Sequence, residues 1–251
     1  MRKGFSARVL MVIDQSDALL EILDARFAEE TRNHYIEKKI LEKNKKLIFV
    51  LNKADLVEKN RLIKKKKELM QEARTVFLSA KNRKGIHLLK KEINIALGEK
   101  DGKVGVIGYP NTGKSSIINA LKRRKVARTS IKAGFTRGEM LVKVSDKIRL
   151  IDTPGIIPFE ERDEFKLVLT LSKNENQISE ADFVGFKLIE FFLKENPNEI
   201  ERFYGVKGTD AKKIFEEIAL KKKYLLKGNE PDLNRTGMQI IRDYQTGKIR
   251  I

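Results

Sequence analysis

The chain has 251 residues, and its 41% hydrophobic and 35% charged residues are typical of a folded protein with a sizeable core. Because the chain has no cysteine, its sequence excludes disulfide bonds, cysteine-ligated zinc and thiol catalysis within it, and two histidines cannot build a metal site alone. No apolar run reaches the roughly 20 residues that span a bilayer, so we expect a cytoplasmic protein without a membrane partner.

The net charge of +18 is unevenly distributed along the chain. Residues 161–251 carry 17 Lys and Arg against 16 Asp and Glu, so +17 of the net charge belongs to residues 1–160. The excess is densest at Lys64–Lys67, Lys81–Lys84 and Lys122–Lys125. A polyanionic partner such as RNA explains this segregation. A lysine-rich surface adapted to high temperature is the alternative, but it gives no reason for one half to carry the excess.

In the first half of the chain, short apolar runs alternate with charged amphipathic stretches. "ALLEILDA", "KLIFVLNK" and "TVFLSA" are predicted strands separated by helix-like spans, and the helix "GIHLLKKEINIALG" ends at Gly98. After the connector "GEKDGK", the strand "VGVIGYP" leads into the helix "GKSSIINALKRRK", and "MLVKVSDKIRLIDTPG" contains two more strands. The alternation predicts an α/β domain with a mostly parallel sheet and helices on both faces.

Beyond Pro158 the apolar residues follow a helical period, as in "SEADFVGFKLIEFFLKE" and "DAKKIFEEIALKKKYLLKG". The acidic stretch "FEERDE" marks a boundary near residue 160. We therefore predict an α/β domain over residues 1–160 and a smaller all-α domain over residues 161–251.

The stretch "GYPNTGKS" matches the phosphate-binding pattern G-x-x-x-x-G-K-[ST], with a predicted strand before it and a helix after it. In such a loop the backbone amides surround the phosphates, Lys114 reaches the terminal phosphates and the Ser115 hydroxyl ligates Mg²⁺. A glycine-rich turn with an accidental lysine is the alternative, which the flanking elements disfavour. The nucleotide-binding residues predicted here are Asn111, Thr112, Gly113, Lys114, Ser115 and Ser116.

The stretch "LIDTPG" places Asp152 at the end of an apolar strand and Gly155 three residues later. The Asp152 carboxylate would hold Mg²⁺ through its hydration shell, and the Gly155 amide would bind the terminal phosphate and so sense its presence. Asp-Thr-Pro-Gly alone is a common turn, but its position after a phosphate loop makes it specific.

The tetrapeptide "NKAD" predicts which base is bound. The Asp55 carboxylate would accept the ring N–H and the exocyclic amine of guanine, whereas adenine would leave the carboxylate unpaired at a large cost. Asn52 would tie this loop to the phosphate loop, and the Lys53 stem would cover one face of the base. Ser79–Lys81, "SAK", is the matching fourth element, in which the Ala80 amide would donate to the guanine carbonyl.

These four elements are those of a Ras-like GTPase, but their order is base, base, phosphate, magnesium. The connector "GEKDGK" would join the usual last helix to the usual first strand, and new ends would open between the usual third and fourth strands. The sequence therefore predicts a circularly permuted P-loop GTPase domain. Because "DTPG" then comes last, hydrolysis of GTP could move the helical domain attached to it.

Together with "DALLEILDAR", "RN" at residues 32–33 and "AGFTRG", these motifs resemble the circularly permuted GTPases of the YlqF/RbgA type, which are ribosome-assembly factors. The likeness covers nearly the whole chain. It implies that Thr136 is the switch threonine that contacts Mg²⁺, with Thr129 and Ser130 as weaker candidates. It also implies binding to a ribosomal subunit or its RNA, with the large subunit favoured. We expect the protein to be a monomer.

The resemblance further implies that the helical domain binds RNA near Lys221–Lys223, Lys227 and Arg235, although a solvated helix face would explain this basic run equally well. Bacterial members carry a catalytic histidine before the first helix, and we expect no counterpart here. Ile156 stands where Ras-like proteins place a water-orienting glutamine.

We therefore expect slow intrinsic hydrolysis by Lys114, Thr136 and Gly155, stimulated by ribosomal particles and by K⁺ at Asn111. A loop-stabilising Asn111 is the alternative to a K⁺ ligand. At the level of function, a GTP-stabilised RNA-binding module with negligible turnover remains an alternative, and so does an ATPase.

Overall fold

The computed structural model of the chain describes residues 3–122, 140–152, 163–173 and 175–249. The chain divides into two compact units, Met1–Phe159 and Glu160–Ile251. Within the described ranges, no helix combines the length and the apolar character that a membrane span requires.

The first unit combines a six-stranded sheet with helices on both faces, which confirms the predicted α/β class. Its strands lie in the order β3-β2-β1-β4-β6-β5, and β5 is antiparallel to β6 while the other pairs are parallel. The elements are α1 (Lys3–Gln15), β1 (Ala18–Asp24), α2 (His34–Glu42), β2 (Lys46–Asn52), α3 (Lys59–Leu69), β3 (Arg74–Phe77), α4 (Ile86–Leu97), β4 (Gly102–Ile107), α5 (Lys114–Leu121), β5 (Met140–Lys143) and β6 (Ile148–Asp152).

The strand β1 lies at the centre of the sheet and is buried along its whole length. Leu20 and Ile22 pack into one core cluster together with residues of α4 and α5. Leu19 and Leu23 point to the opposite face, where they pack with residues of α1 and α2. A parallel strand that helices cover on both faces must be apolar throughout, which explains the sequence "ALLEILDA". Glu21 and Asp24, both buried, are the charged exceptions on this strand.

The predicted connector between α4 and β4 is short. Gly98 ends α4 in the left-handed conformation, with φ 61°, and β4 begins at Gly102. Four residues therefore join the helix to the strand that precedes the phosphate loop, and β4 pairs with β1 and β6. This is the permuted topology that the order of the motifs predicted.

The second unit is helical in its described residues, as the periodicity predicted. It contains α6 (Glu164–Leu169), α7 (Ala181–Glu195), α8 (Pro197–Tyr204), α9 (Ala211–Lys221) and α10 (Leu233–Gln245). The helices α7 and α10 approach closely where Gly185 meets Gly237. A Cβ on Gly237 would lie 1.9 Å from the Ala181 carbonyl oxygen, so this crossing requires glycine.

Candidate nucleotide-binding site

The loops predicted to bind nucleotide follow neighbouring strands of the first unit. The strand β1 pairs with β2 on one side and with β4 on the other, and the register places Asp24 opposite Asn52. The base-reading loop, "NKAD" at residues 52–55, is at the end of β2, and the phosphate loop, "GYPNTGKS" at residues 108–115, follows β4. Because ligands of open parallel sheets bind at the carboxyl ends of the strands, this edge is the candidate site.

The phosphate loop depends on its two glycines. Gly108 and Gly113 have φ values of 146° and 97°, and Asn111 between them is also left-handed, with φ 60°. A Cβ on Gly108 would lie 2.5 Å from the Ile22 carbonyl oxygen, and one on Gly113 would lie 2.2 Å from Asn52 Nδ2. Both the dihedral angles and the close approaches therefore exclude larger residues.

The loop lysine is buried at the start of α5. Lys114 is 8% exposed, and its Nζ donates to the carbonyl oxygens of Gly108 and Tyr109 at 3.0 and 2.6 Å. The Lys114 ammonium group is thus surrounded by the phosphate loop, where a bound phosphate would replace these two carbonyl oxygens as its partner. Ser115 and Ser116 follow on the first turn of α5 and are exposed. Helix amides and a lysine at one point create the positive potential that phosphates require.

One buried side chain joins three loops. Asn52 is 3% exposed; its Nδ2 donates to the Thr112 carbonyl oxygen at 2.8 Å, and its Oδ1 accepts the Ala80 amide at 3.1 Å. The base-reading loop, the phosphate loop and the "SAK" loop are therefore held together by one amide group. Since the Ala80 amide already donates to Asn52, its predicted bond to a guanine carbonyl would have to share or replace this contact.

The rest of the base-reading loop forms a short 3-10 helix, Ala54–Leu56, in which Asp55 is exposed. The backbone carbonyl of Leu78 accepts the Ala54 amide at 3.1 Å, which fixes this loop to the segment that carries Ser79. Ser79 is buried and Lys81 is exposed. An exposed carboxylate beside a buried framework is suited to reading the edge of a base.

Sequence reasoning assigned no site role to Asp24 and Arg26. The Asp24 carboxylate accepts Lys53 Nζ at 2.6 Å, and both of its oxygens accept Arg26 donors at 2.9 and 2.8 Å. Burial opposes ionisation, but the Arg26 guanidinium and then the Lys53 ammonium hold the pKa of Asp24 below its usual value. The sequence shows an aspartate at the end of the apolar run "ALLEILD", but its place opposite Asn52 comes from the register of the sheet.

Several predicted residues cannot be placed. The backbone of Asp152 ends β6 and pairs with Val106 of β4, beside the phosphate loop. The Asp152 side chain, Thr136 and Gly155 lie outside the described residues, as do Ile156, Thr129 and Ser130. Their roles therefore stay predictions.

The basic residues predicted to contact RNA in the second unit are exposed, but three of them also contact this unit itself. Lys221 Nζ donates to the Gly205 carbonyl oxygen at the end of α8, at 2.5 Å. Lys222 Nζ lies 5.9 Å from the centre of the Tyr204 ring, and the Arg235 guanidinium lies 4.5 Å from that of Tyr224. These residues contribute to packing whether or not they bind RNA.

Comparison with known proteins agrees with the permuted arrangement of these loops. The RsgA GTPase family model matches residues 11–162, and the model described as 50S ribosome-binding GTPase matches residues 103–222. An "uncharacterized GTP-binding protein" of Methanocaldococcus jannaschii is 44% identical over 244 residues, which cover 95% of this chain and 64% of that protein. Nucleolar GTP-binding protein 2 of Saccharomyces cerevisiae is 35% identical over 262 residues, which cover 98% of this chain and 53% of that protein. The chain thus spans less than two thirds of the length of these two relatives.

Solved structures share the fold. The crystal structure of GNP-bound YlqF from T. maritima matches with a TM-score of 0.61 and 23% identity, over 98% of this chain and 94% of that one. A GDP-bound YlqF structure matches with a TM-score of 0.62 and 23% identity, over 96% and 95% of the two chains. The chain belongs to the RsgA GTPase family and shares the circularly permuted fold of the YlqF structures.

Proposed function

We propose that this chain binds guanine nucleotides, hydrolyses GTP to GDP and phosphate, and acts as a switch in ribosome biogenesis. The observation that carries the proposal is the pair of hydrogen bonds made by Asn52, which join the base-reading loop to the phosphate loop and to the "SAK" loop. Three loops that are far apart in the sequence are thereby joined in one site. In this site Asp55 would contact the guanine base and Lys114 the phosphates.

The residues present suit a magnesium ion that bridges protein and nucleotide. Ser115 is exposed at the start of α5, and the Asp152 backbone ends β6, which pairs with the strand that precedes the phosphate loop. Among the residues that the structure describes, no cluster of three or more acidic residues or histidines could hold a metal alone. Ser115 and Asp152 would therefore hold Mg²⁺ together with the phosphates, as is usual for this ion. When bound, Mg²⁺ neutralises charge that develops on the phosphates.

Hydrolysis is proposed to be slow without a partner. Lys114, Thr136 and Gly155 would stabilise the transferred phosphate, but Ile156 has no group that could orient water. Asn111 is exposed and left-handed in the phosphate loop, where its side chain could ligate K⁺ close to the phosphates. A cation there would supply charge to the transition state.

The proposed partner is a ribosomal particle, with late assembly of the large subunit favoured. A matching family model is described as "50S ribosome-binding GTPase" and a relative is called "Nucleolar GTP-binding protein 2", which supports this partner. The charge of +17 on residues 1–160 supports contact with RNA. We propose that the protein acts as a cytoplasmic monomer with two domains, residues 1–160 and 161–251. We further propose that the segment "DTPG", residues 152–155, responds to the terminal phosphate and moves the second domain.

GTP turnover, measured in Na⁺ and in K⁺ with and without separated ribosomal subunits, tests this proposal. We expect slow turnover alone and faster turnover with K⁺ and large subunits. Tight GTP binding without acceleration under any of these conditions would instead support the GTP-stabilised RNA-binding module. Co-sedimentation with GDP or a non-hydrolysable GTP analogue identifies the subunit, and loss of binding as salt rises would support RNA contact.

A further inference from the structure

The carboxylate at the end of β1 binds the lysine of the base-reading loop. Asp24 is 3% exposed, and its Oδ2 accepts Lys53 Nζ at 2.6 Å. Arg26 donates from Nε to Oδ1 at 2.9 Å and from Nη2 to Oδ2 at 2.8 Å. We call these three side chains the Asp24 clamp. Their hydrogen bonds are charge-assisted, and the fork from Arg26 fixes the plane of the carboxylate.

The backbone also fixes the clamp. The Asp24 amide donates to Thr31 Oγ1 at 3.1 Å, and Asp24 Oδ1 accepts the Arg26 amide at 3.1 Å. The Arg26 guanidinium lies over the Phe27 ring, 4.6 Å from its centre. The carboxylate that holds Lys53 is therefore held from several directions, as a rigid anchor must be.

The sheet places this anchor where the lysine starts. Asp24 and Asn52 are partners in the register of β1 and β2, and Lys53 follows Asn52 in the left-handed conformation, with φ 62°. A lysine side chain loses conformational entropy when it is ordered. A lysine that is already ordered by Asp24 would not meet this cost again when a nucleotide binds.

We propose that Asp24 is a positioning residue for guanine recognition, which holds the Lys53 ammonium so that the lysine stem covers the base. The inference rests on the proposed binding of guanine nucleotides. In this proposal Arg26 fixes the position of the Asp24 carboxylate. Loss of the anchor should weaken contacts to the guanosine part of the nucleotide and leave the phosphate loop unaffected.

Calorimetric titration with GDP and with inorganic pyrophosphate separates these two contributions. We expect Asp24→Asn to weaken GDP binding by about tenfold, which is at the lower end of the effect of a charge-assisted hydrogen bond. Binding of pyrophosphate should be unchanged. Asp14→Asn is the matched control, because Asp14 also accepts a lysine ammonium, from Lys43, but is exposed and distant in sequence from these loops.

The double variant with Lys53→Met tests whether Asp24 acts through the lysine. Once Lys53 is removed, Asp24→Asn should cause no further loss of GDP affinity, and additive losses would refute the proposal. Equal weakening of GDP and pyrophosphate would also refute it. If Asp24→Asn fails to fold, Arg26→Gln should weaken GDP selectively, and unchanged GDP binding there would count against the clamp. A wild-type protein that binds no GDP would refute the proposed function instead.

Discussion

Replacing Asn52 by Ala removes the side chain that joins the three loops. The substitution deletes the bond to the Thr112 carbonyl oxygen and the bond from the Ala80 amide, at 2.8 and 3.1 Å. Because this region is buried, each backbone group left without its partner costs about 1–3 kcal/mol. The two losses together should lower the free energy of unfolding of the first unit by about 2–6 kcal/mol.

Urea unfolding and GDP titration of Asn52→Ala measure both consequences. Since the loops would no longer be held in one arrangement, GDP binding should weaken by at least about tenfold. Asn82→Ala is the matched control, because Asn82 is an exposed asparagine next to the "SAK" loop whose amide, not its side chain, donates to Ser79 Oγ. If Asn52→Ala and Asn82→Ala behaved alike in both assays, the reasoning about the shared amide would be wrong.

Three other predictions concern backbone and burial. Gly113→Ala should weaken GDP binding by at least about tenfold through strain and contact with the base-reading loop, whereas Gly98→Ala, also left-handed but with nothing within 4 Å of its Cβ, should not. Gly237→Ala should destabilise the second unit by about 3 kcal/mol in urea unfolding, and Gly208→Ala, whose Cβ has ordinary contacts, should change little. Burial, and then the charge of a neighbouring glutamate, raise the pKa of Glu21, so the folded state keeps a proton that the unfolded state loses. The free energy of unfolding should therefore fall as pH rises above the ordinary glutamate pKa, and Glu21→Gln should remove this fall. If the variant and the wild type showed the same pH profile, Glu21 would not be the group responsible.

The fold followed from local patterns that leave few choices. Glycines at 108 and 113 occur where the backbone is left-handed and neighbouring groups lie too close for a Cβ. The order of the motifs, with the short connection from Gly98 to Gly102, was sufficient to predict the permuted sheet. These features depend on residue types and on the order of motifs along the chain, and a single sequence shows both.

Contacts that depend on strand register were harder to predict. The bond between Asp24 and Lys53 requires β1 to lie beside β2 with these residues at matching ends, and no spacing in the sequence specifies that pairing. Glu21 lay inside an apolar run, where its burial among charged neighbours could not be recognised. The helix α1 was likewise not predicted. The roles of Thr136 and Gly155 rest on sequence alone.

The central claim is that loops in permuted order form one site for guanine nucleotides, and competition between GDP and ADP for the wild-type protein tests it most directly. We expect GDP to bind far more tightly than ADP, because only guanine has a ring N–H next to an exocyclic amine, so that both can donate to the Asp55 carboxylate. Asp55→Asn should weaken GDP binding without changing the affinity for pyrophosphate. Equal affinity for GDP and ADP, or GDP binding that Asp55→Asn leaves unchanged, would contradict the account.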